Sequence, residues 1–566
     1  MPVKDALQPA DESAAETHFK SAKALQAEGR VAEAASELVA GLQLDPRNES
    51  AHLSLAGMLL ELRLFHPASI ACRHALMVAP ESAAAYDQFG RAMEGLGDRT
   101  QAIAHYTRSL TLRPGNKATS HRLSAALRAE GRLEPARRVL QALCDRTPRD
   151  AESLFLLAGV LGEMGSSEEA IRRLRKAISH QPRFPEALNN LAILLRAAGQ
   201  AQEAEVHLRK AVGIRPDYAA AWNNLGNLHI ELSRIDEAIR CYTKAISVDP
   251  DYAEAHTNRA LAWLLAGRFE EGWQEYEWRW KQPGVGVRTL AKPEWDGSDL
   301  DGKTILLHAE QGAGDTIQFI RYARLLHDRG AKVLVHCQES LRTLLEGAPY
   351  LTQVFSGPIA GPDFDLHAPM MSLPRLFGTR FESIPGDTPY LKPLPGSIVP
   401  GELASSREFR VGLVWAGNPS HRNDRNRSIA LPLLDDLVRV EGARFFSLQM
   451  GRTPADEQWL RSRAIVDLAP YLSNYAATAA CIQELDLLLT VDTSVAHLAG
   501  ALGKPVWTLL PTCNDWRWRQ DREDTPWYPS MRLYRQTGLR DWRPVTSRLT
   551  SDLRREASTY RPLKGE

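Results

Sequence analysis

Pro46, Pro80, Pro114, Pro148, Pro182, Pro216 and Pro250 stand 34 residues apart without a slip. A period of this length constrains a chain strongly, because no single unit can bury its apolar face alone and each must stack on the next. In phase with the prolines runs a small residue, at Ala34, Ala68, Ala102, Ala136, Ala170, Ala204 and Ala238. Each unit reads as two antiparallel helices. Ala56, Gly90, Ala192 and Gly226 let the helices approach, and the proline stops the second helix before the next unit begins. An eighth unit starts at Ala253 but has Gly272 in place of the alanine and no closing proline, so it is expected to cap the array and join it to the rest of the chain.

Trp222, Leu225, Gly226, Ala238, Tyr242, Ala245 and Pro250 resemble the tetratricopeptide consensus, and the resemblance covers roughly half the chain. It implies an α-solenoid, a right-handed superhelix whose concave groove holds a peptide or protein. Asn190, Asn224 and Asn258 occupy the same place in three successive first helices. An amide that both donates and accepts can hold an extended peptide backbone, and this pattern resembles the asparagine ladder of eukaryotic O-GlcNAc transferases. The other reading is that these asparagines bridge turns or face water.

Composition shifts after Trp263. Trp273, Trp278 and Trp280 lie on an aromatic helix and are expected to pack a domain junction. From Gly302 strand and helix patterns alternate, the signature of α/β architecture. The expected organisation is a flexible N-terminus (1–14), the repeats with their cap (15–283), a first α/β half (284–397), a linker (398–408), and a second half with a C-terminal helix (409–566).

In the first half, Lys303–His308 reads as a strand, followed by a turn containing Gly312, Gly314 and Asp315, and then by a helix over 316–329. The turn lacks the spacing of a triphosphate-binding loop or a complete dinucleotide fingerprint. The second half opens with a strand at Phe409–Ala416 and a loop that carries Gly417, Asn418, Arg422, Arg425 and Arg427. Forked guanidinium groups at a strand's C-terminal end suit a diphosphate, and a solvated basic loop is the alternative. A helix is expected over Leu431–Val440. Late in the chain the apolar run Leu487–Val491 leads into Asp492, Thr493 and Ser494 and then a small-residue helix, a turn whose free N–H groups and helix dipole suit phosphate.

Asp492-Thr-Ser-Val-Ala-His-Leu-Ala-Gly-Ala-Leu-Gly-Lys-Pro505 resembles the D-T-G-x-A-H-L-A-A-A-L-G-x-P signature of the ADP-heptose:lipopolysaccharide heptosyltransferases, and Gly314-Asp315 is similar to that family's catalytic glycine-aspartate. The resemblance spans about Gly302 to Leu553. It implies a GT-B fold of two Rossmann-like halves and inverting, metal-independent transfer of a sugar from a nucleotide-diphosphate donor. Asp315 would be the general base, Asp492 would contact the donor sugar, and Thr493, Ser494 and His497 would face the diphosphate. Arg425 or Arg427 falls near the lysine that holds the donor phosphates in that family, and Asn418 and Gly417 belong to the same loop. The chain departs from the family in Ser494, which replaces a glycine, in arginine where lysine is usual, and in the repeats themselves. His308, Glu310, Gln311 and His367, at or near strand ends, are candidates for the acceptor side or are structural.

Other features narrow the function. Lys+Arg and Asp+Glu are both 69, so no net field favours nucleic acid or an anionic membrane. The six cysteines show no C-x-x-C spacing, which argues against a zinc site and fits a reducing compartment. No run approaches the length of a membrane span and Met1–Lys20 lacks an apolar core, so a cytoplasmic protein is expected. Asp299-Leu-Asp301 and Asp363-Phe-Asp365 are read as chance D-x-D triplets, and neither a metal nor a resident cofactor is expected, the nucleotide sugar being a co-substrate. The leading expectation is a glycosyltransferase acting on a protein held by the repeats. The alternatives are a glycan or lipopolysaccharide acceptor, with the repeats recruiting an assembly, and a non-catalytic scaffold. Oligomeric state is left open.

Overall fold

The computed structural model describes residues 9–285, 290–359, 363–421 and 423–561. Its first part is all helical: sixteen α-helices run from Pro9 to Tyr276 in the paired order that the 34-residue period predicts. The seven in-phase alanines from Ala34 to Ala238 are all fully buried. At Gly226 an added Cβ would lie 2.5 Å from the Tyr242 ring, and at Gly90 the same distance from Tyr106. The small residue therefore makes room for the aromatic ring of the paired helix. A second feature shares the period. Gly29, Arg63, Gly97, Gly131, Gly165, Gly199, Ser233 and Gly267 all have positive φ, between 58° and 84°, at the turn joining the two helices of each unit. Six of the eight are glycines, as a left-handed turn requires. The first described helix covers Pro9–Ala27, so the part of the expected flexible N-terminus from Pro9 on is helical.

Two parallel sheets come next in the chain. The first comprises β1 (Thr304–His308), β2 (Lys332–His336), β3 (Gln353–Phe355) and β4 (Leu366–Pro369), in the order β3-β2-β1-β4. The second comprises β5 (Phe409–Val414), β6 (Ala443–Ser447), β7 (Val466–Asp467), β8 (Leu487–Val491), β9 (Val506–Leu510) and β10 (Met531–Arg535), in the order β10-β9-β8-β5-β6-β7. Every residue of β8 and β9 is buried, as expected of parallel strands covered on both faces. Asp365 Oδ2 accepts the Thr304 N–H at 2.8 Å, so this D-x-D residue fastens the start of β1.

Several expectations are corrected. The helix expected over 316–329 is two helices, Ala313–Phe319 and Arg321–His327. The helix expected over 431–440 is two short 3-10 turns, Leu431–Leu434 and Leu437–Arg439, with Pro432 at the head of the first. The expected linker carries a short helix, Gly401–Ala404, whose Leu403 is fully buried. Strand β10 has no counterpart among the strands expected from the sequence.

The chain divides into two compact units, one ending at Pro216 and the other beginning at Asp217. This boundary lies two repeats before the expected end of the capped repeats at 283. The physical reason lies in the last helices. Leu264, Phe269, Trp273 and Tyr276 belong to the same apolar cluster as Ile305 of β1, Ile317 and Leu498. Trp273 stands edge-on to Trp516 at 5.0 Å and to Phe319 at 6.4 Å, as expected of a junction tryptophan. Trp278 stacks on His256 at 3.7 Å. Among the described residues, no helix is long and apolar enough to cross a membrane.

Candidate functional site

The turn after β1 places Asp315 at the third residue of the helix Ala313–Phe319, where its Oδ2 accepts the Gly312 N–H at 2.9 Å. Its Oδ1 meets Nη2 of Arg517, from the segment after β9. The same guanidinium reaches Asp515 through Nη1 at 2.9 Å and Gln318 through Nε. Arg517 is buried over the Trp516 ring, 4.4 Å from its centroid. Burial pushes the Asp315 carboxyl above the usual carboxylate range and Asp515 adds to this, while Arg517 opposes it. Gly314 explains the glycine beside the aspartate: a Cβ there would lie 2.9 Å from Cδ2 of His497 and 3.4 Å from Cα of Ser494. The two helix starts abut, and only glycine fits between them.

On the other side, β8 runs into Asp492 and Thr493, and the helix Ser494–Ala501 begins. Thr493 lies in extended conformation before the helix without a side-chain cap bond, and its Oγ1 is 3.2 Å from that of Thr490. The Tyr475 hydroxyl donates to Ser494 Oγ at 2.7 Å. Burial pushes Asp492 up to about 6, Asp515 adds to this, and Arg427 and Arg517 oppose it. Arg427 is held here. Its Nη1 donates to the Asp492 carbonyl at 3.0 Å and its Nε to Asp424 at 3.1 Å, while Gly417 leaves room for the guanidinium. Asn418 accepts from the N–H of Ser420 at 3.0 Å and from its hydroxyl at 2.8 Å, closing the loop on itself. Arg425 lies exposed, and Arg422 falls outside the described residues.

His497 does not face open space, as expected of a phosphate contact. Its ring is buried against Gly314, with Nδ1 2.9 Å from the Tyr528 hydroxyl and Trp518 stacked at 5.3 Å. Burial and then Arg517 hold its pKa well below that of an ordinary histidine, so the ring is neutral. Its position ties the two α/β halves together.

Three of the four acceptor-side candidates, His308, Glu310 and Gln311, line a cavity of about 550 Å³ shared by the last repeat and the end of β1. Asn258, Tyr276 and Trp280 form one wall, and His308, Glu310 and Gln311 the other. Glu310 is buried and engaged: Arg279 donates to both its oxygens, at 2.9 and 3.2 Å, and the Met371 N–H donates at 3.0 Å. Burial pushes the Glu310 carboxyl up, against the pull of Arg279. Gln311 donates to the Tyr276 hydroxyl at 3.0 Å. His308 and His367 meet across β1 and β4, with ring nitrogens 3.4 Å apart, and both are buried. Asn258 donates its amide to Asn223 at 3.0 Å and to Asn227 at 3.2 Å, so its donor bridges neighbouring units. Asn190 accepts from Asn189 at 3.3 Å, and Asn224 is half-buried on its helix. Of the three, Asn258 takes part in stacking one repeat on the next.

Sequence reasoning misses Arg517, Asp515, Tyr475 and Tyr528. The stretch from Asp515 to Trp527 is dense in Trp, Arg and Asp but has no periodicity from which a role could be read.

Profiles of the tetratricopeptide repeat family match residues 95–158, 155–219 and 219–252. These segments are tetratricopeptide repeats and support a role in protein interaction. Protein FlbA of Caulobacter vibrioides is 25% identical over 335 residues, which are 52% of this chain and 54% of that one. The chain therefore matches about half the length of that relative. Among solved structures, MamA aligns over 29% of this chain and 96% of its own with a TM-score of 0.27 at 22% identity. YrrB, described as a TPR protein with an unusual peptide-binding site, aligns over 33% and 96% with a TM-score of 0.29 at 19% identity.

Proposed function

We propose that this protein is a GT-B glycosyltransferase that moves a sugar from a nucleotide-diphosphate donor to a polypeptide presented by its repeats. The observation that carries this reading is the meeting of Asp315, after β1 of one parallel sheet, with Arg517, Asp515 and the Ser494 helix start of the other. Ligands of open parallel sheets bind beyond the carboxyl ends of the strands, and this cluster lies there in both halves.

Asp315 acts as the general base on the acceptor hydroxyl. A carboxyl raised by burial is a better proton acceptor near neutral pH than an exposed one. Arg427 and the N–H groups at the head of the Ser494–Ala501 helix stabilise charge on the departing diphosphate. No metal is assigned to this step, and inversion follows from a single displacement. The acceptor segment enters through the cavity between Asn258 and Gln311, with Trp280 and Tyr276 as its apolar wall. In that cavity the ionic groups Glu310 and Arg279 face each other, so the segment taken is one of neutral side chains around a serine or threonine.

The test has two parts. Calorimetry against a panel of nucleoside diphosphates should show binding. Intact-mass analysis of acceptor proteins incubated with nucleotide sugars should show one added sugar per site. Asp315→Asn should retain nucleotide binding and lose roughly 10²–10⁴-fold in transfer. A second reading, a scaffold without catalysis, is favoured by the repeats alone; absence of any nucleotide binding would select it.

A further inference from the structure

We propose that Arg517 is the positioning residue for Asp315, a single guanidinium that orients and charges the base of one α/β half while anchored in the other. This deepens the glycosyltransferase reading and, as a statement about catalysis, rests on it.

The geometry is specific. Each edge of the guanidinium has its own acceptor: Nη2 faces Asp315 Oδ1, Nη1 faces Asp515 Oδ1 at 2.9 Å, and Nε faces Gln318 Oε1. Asp515 also accepts the Arg517 backbone N–H at 3.0 Å, which fixes the start of the side chain. The flat face rests on Trp516, which is packed against Trp273 at 5.0 Å and Trp527 at 5.9 Å. With Oδ1 on Arg517 and Oδ2 on the Gly312 N–H, the Asp315 carboxylate has one orientation. A planar fork with three partners cannot be replaced by an ammonium.

Asp515 has the opposite effect. It shares the guanidinium, so it dilutes the positive charge that Asp315 experiences, and its own negative charge adds repulsion. The other titratable groups that bear on Asp315 are Tyr276 from the last repeat and His421 from the loop after β5. Asp492, His497 and Tyr528 also bear on Arg517. Two substitutions a few ångströms apart are therefore expected to move one titration in opposite directions. Arg517→Gln removes the cation and raises the pH at which Asp315 ionises. Asp515→Asn leaves the cation to Asp315 alone and lowers it.

The experiment compares the full-length wild type, Arg517→Gln, Arg517→Lys and Asp515→Asn. In transfer assays the acid limb of kcat/KM should move up by about one pH unit or more in Arg517→Gln. It should move up less in Arg517→Lys and move down in Asp515→Asn, with the donor KM changing less than kcat. A readout without turnover uses the melting temperature of each protein against its Asp315→Asn derivative from pH 4 to 8, since the pH dependence of that difference reports the Asp315 titration. Opposite shifts in melting without any nucleotide binding would uphold the clasp and sink the glycosyltransferase reading. Transfer activity with an acid limb that moves in the same direction, or not at all, in Arg517→Gln and Asp515→Asn would overturn the clasp. If Arg517→Gln fails to fold, the Asp515→Asn shift alone decides, and a shift upward refutes the proposal.

Discussion

Replacing Asp492 by asparagine should stabilise the second compact unit, and the gain should depend on pH in a defined sense. Asp492 is pushed up from the ordinary 3.8 to about 6, by burial first and by Asp515 second. A carboxyl raised in the folded state binds its proton more tightly there than in the unfolded chain, so ionising it works against folding. The cost is absent below about pH 4, where both states are protonated. It grows between pH 4 and 6 and is complete above pH 6. A shift of about two units corresponds to up to about 3 kcal/mol at pH 7–8. Asparagine keeps the shape without the charge, and the bond from Arg427 to residue 492 goes to the main-chain carbonyl, which the substitution leaves in place. Scanning calorimetry from pH 4 to 8 should therefore show the melting difference between Asp492→Asn and wild type widening toward high pH. At roughly 2–4 °C per kcal/mol for units of 150–250 residues, and less for a larger one, a shift of several degrees is within reach. Donor-dependent activity should fall in the same variant, an exchange of stability for function that is common where charges are crowded for a purpose. A difference that stays flat with pH, or a loss of stability at pH 8, would refute the argument.

Other outcomes can be checked in the same way. Trp273→Ala should cost about 3–5 kcal/mol by emptying the contact with Trp516 and Phe319, seen as a lower melting transition of the second unit. Gly226→Ala should destabilise by about 1–3 kcal/mol, because its Cβ would meet the Tyr242 ring at 2.5 Å. Arg63→Gly should stabilise the first unit by about 0.5–1 kcal/mol by relieving a left-handed backbone at φ 59°; an unchanged urea midpoint would count against strain there. His497 is buried neutral, so it contributes stability that is present above the ordinary histidine pKa of 6.5 and is lost as pH falls below it. His497→Gln should show a shallower loss of melting temperature between pH 7 and 5 than wild type.

The sequence by itself determined the repeats down to single residues. The period set which alanines are buried and where the chain turns, because units stacked in one dimension meet the same neighbours at every step. The apolar runs of β1, β5 and β8 were legible for a related reason: strands buried on both faces need continuous hydrophobic residues. Asp315 and Asp492 were picked out by their resemblance to the heptosyltransferase motifs, each in the turn that follows such a strand. β10 escapes a reading of this kind because arginines interrupt its run at 532 and 535.

Only the tertiary structure decided what those residues face. It placed Arg517 between Asp315 and Asp515, turned His497 inward onto Gly314, paired Glu310 with Arg279 and left Arg425 at the surface. It also put the compact boundary at Pro216, since the aromatic residues of the last repeats are buried with the first sheet. Local periodicity records which side of an element is covered. Partners about two hundred residues apart in the chain are joined by charge and shape alone, and these leave no repeat in the sequence.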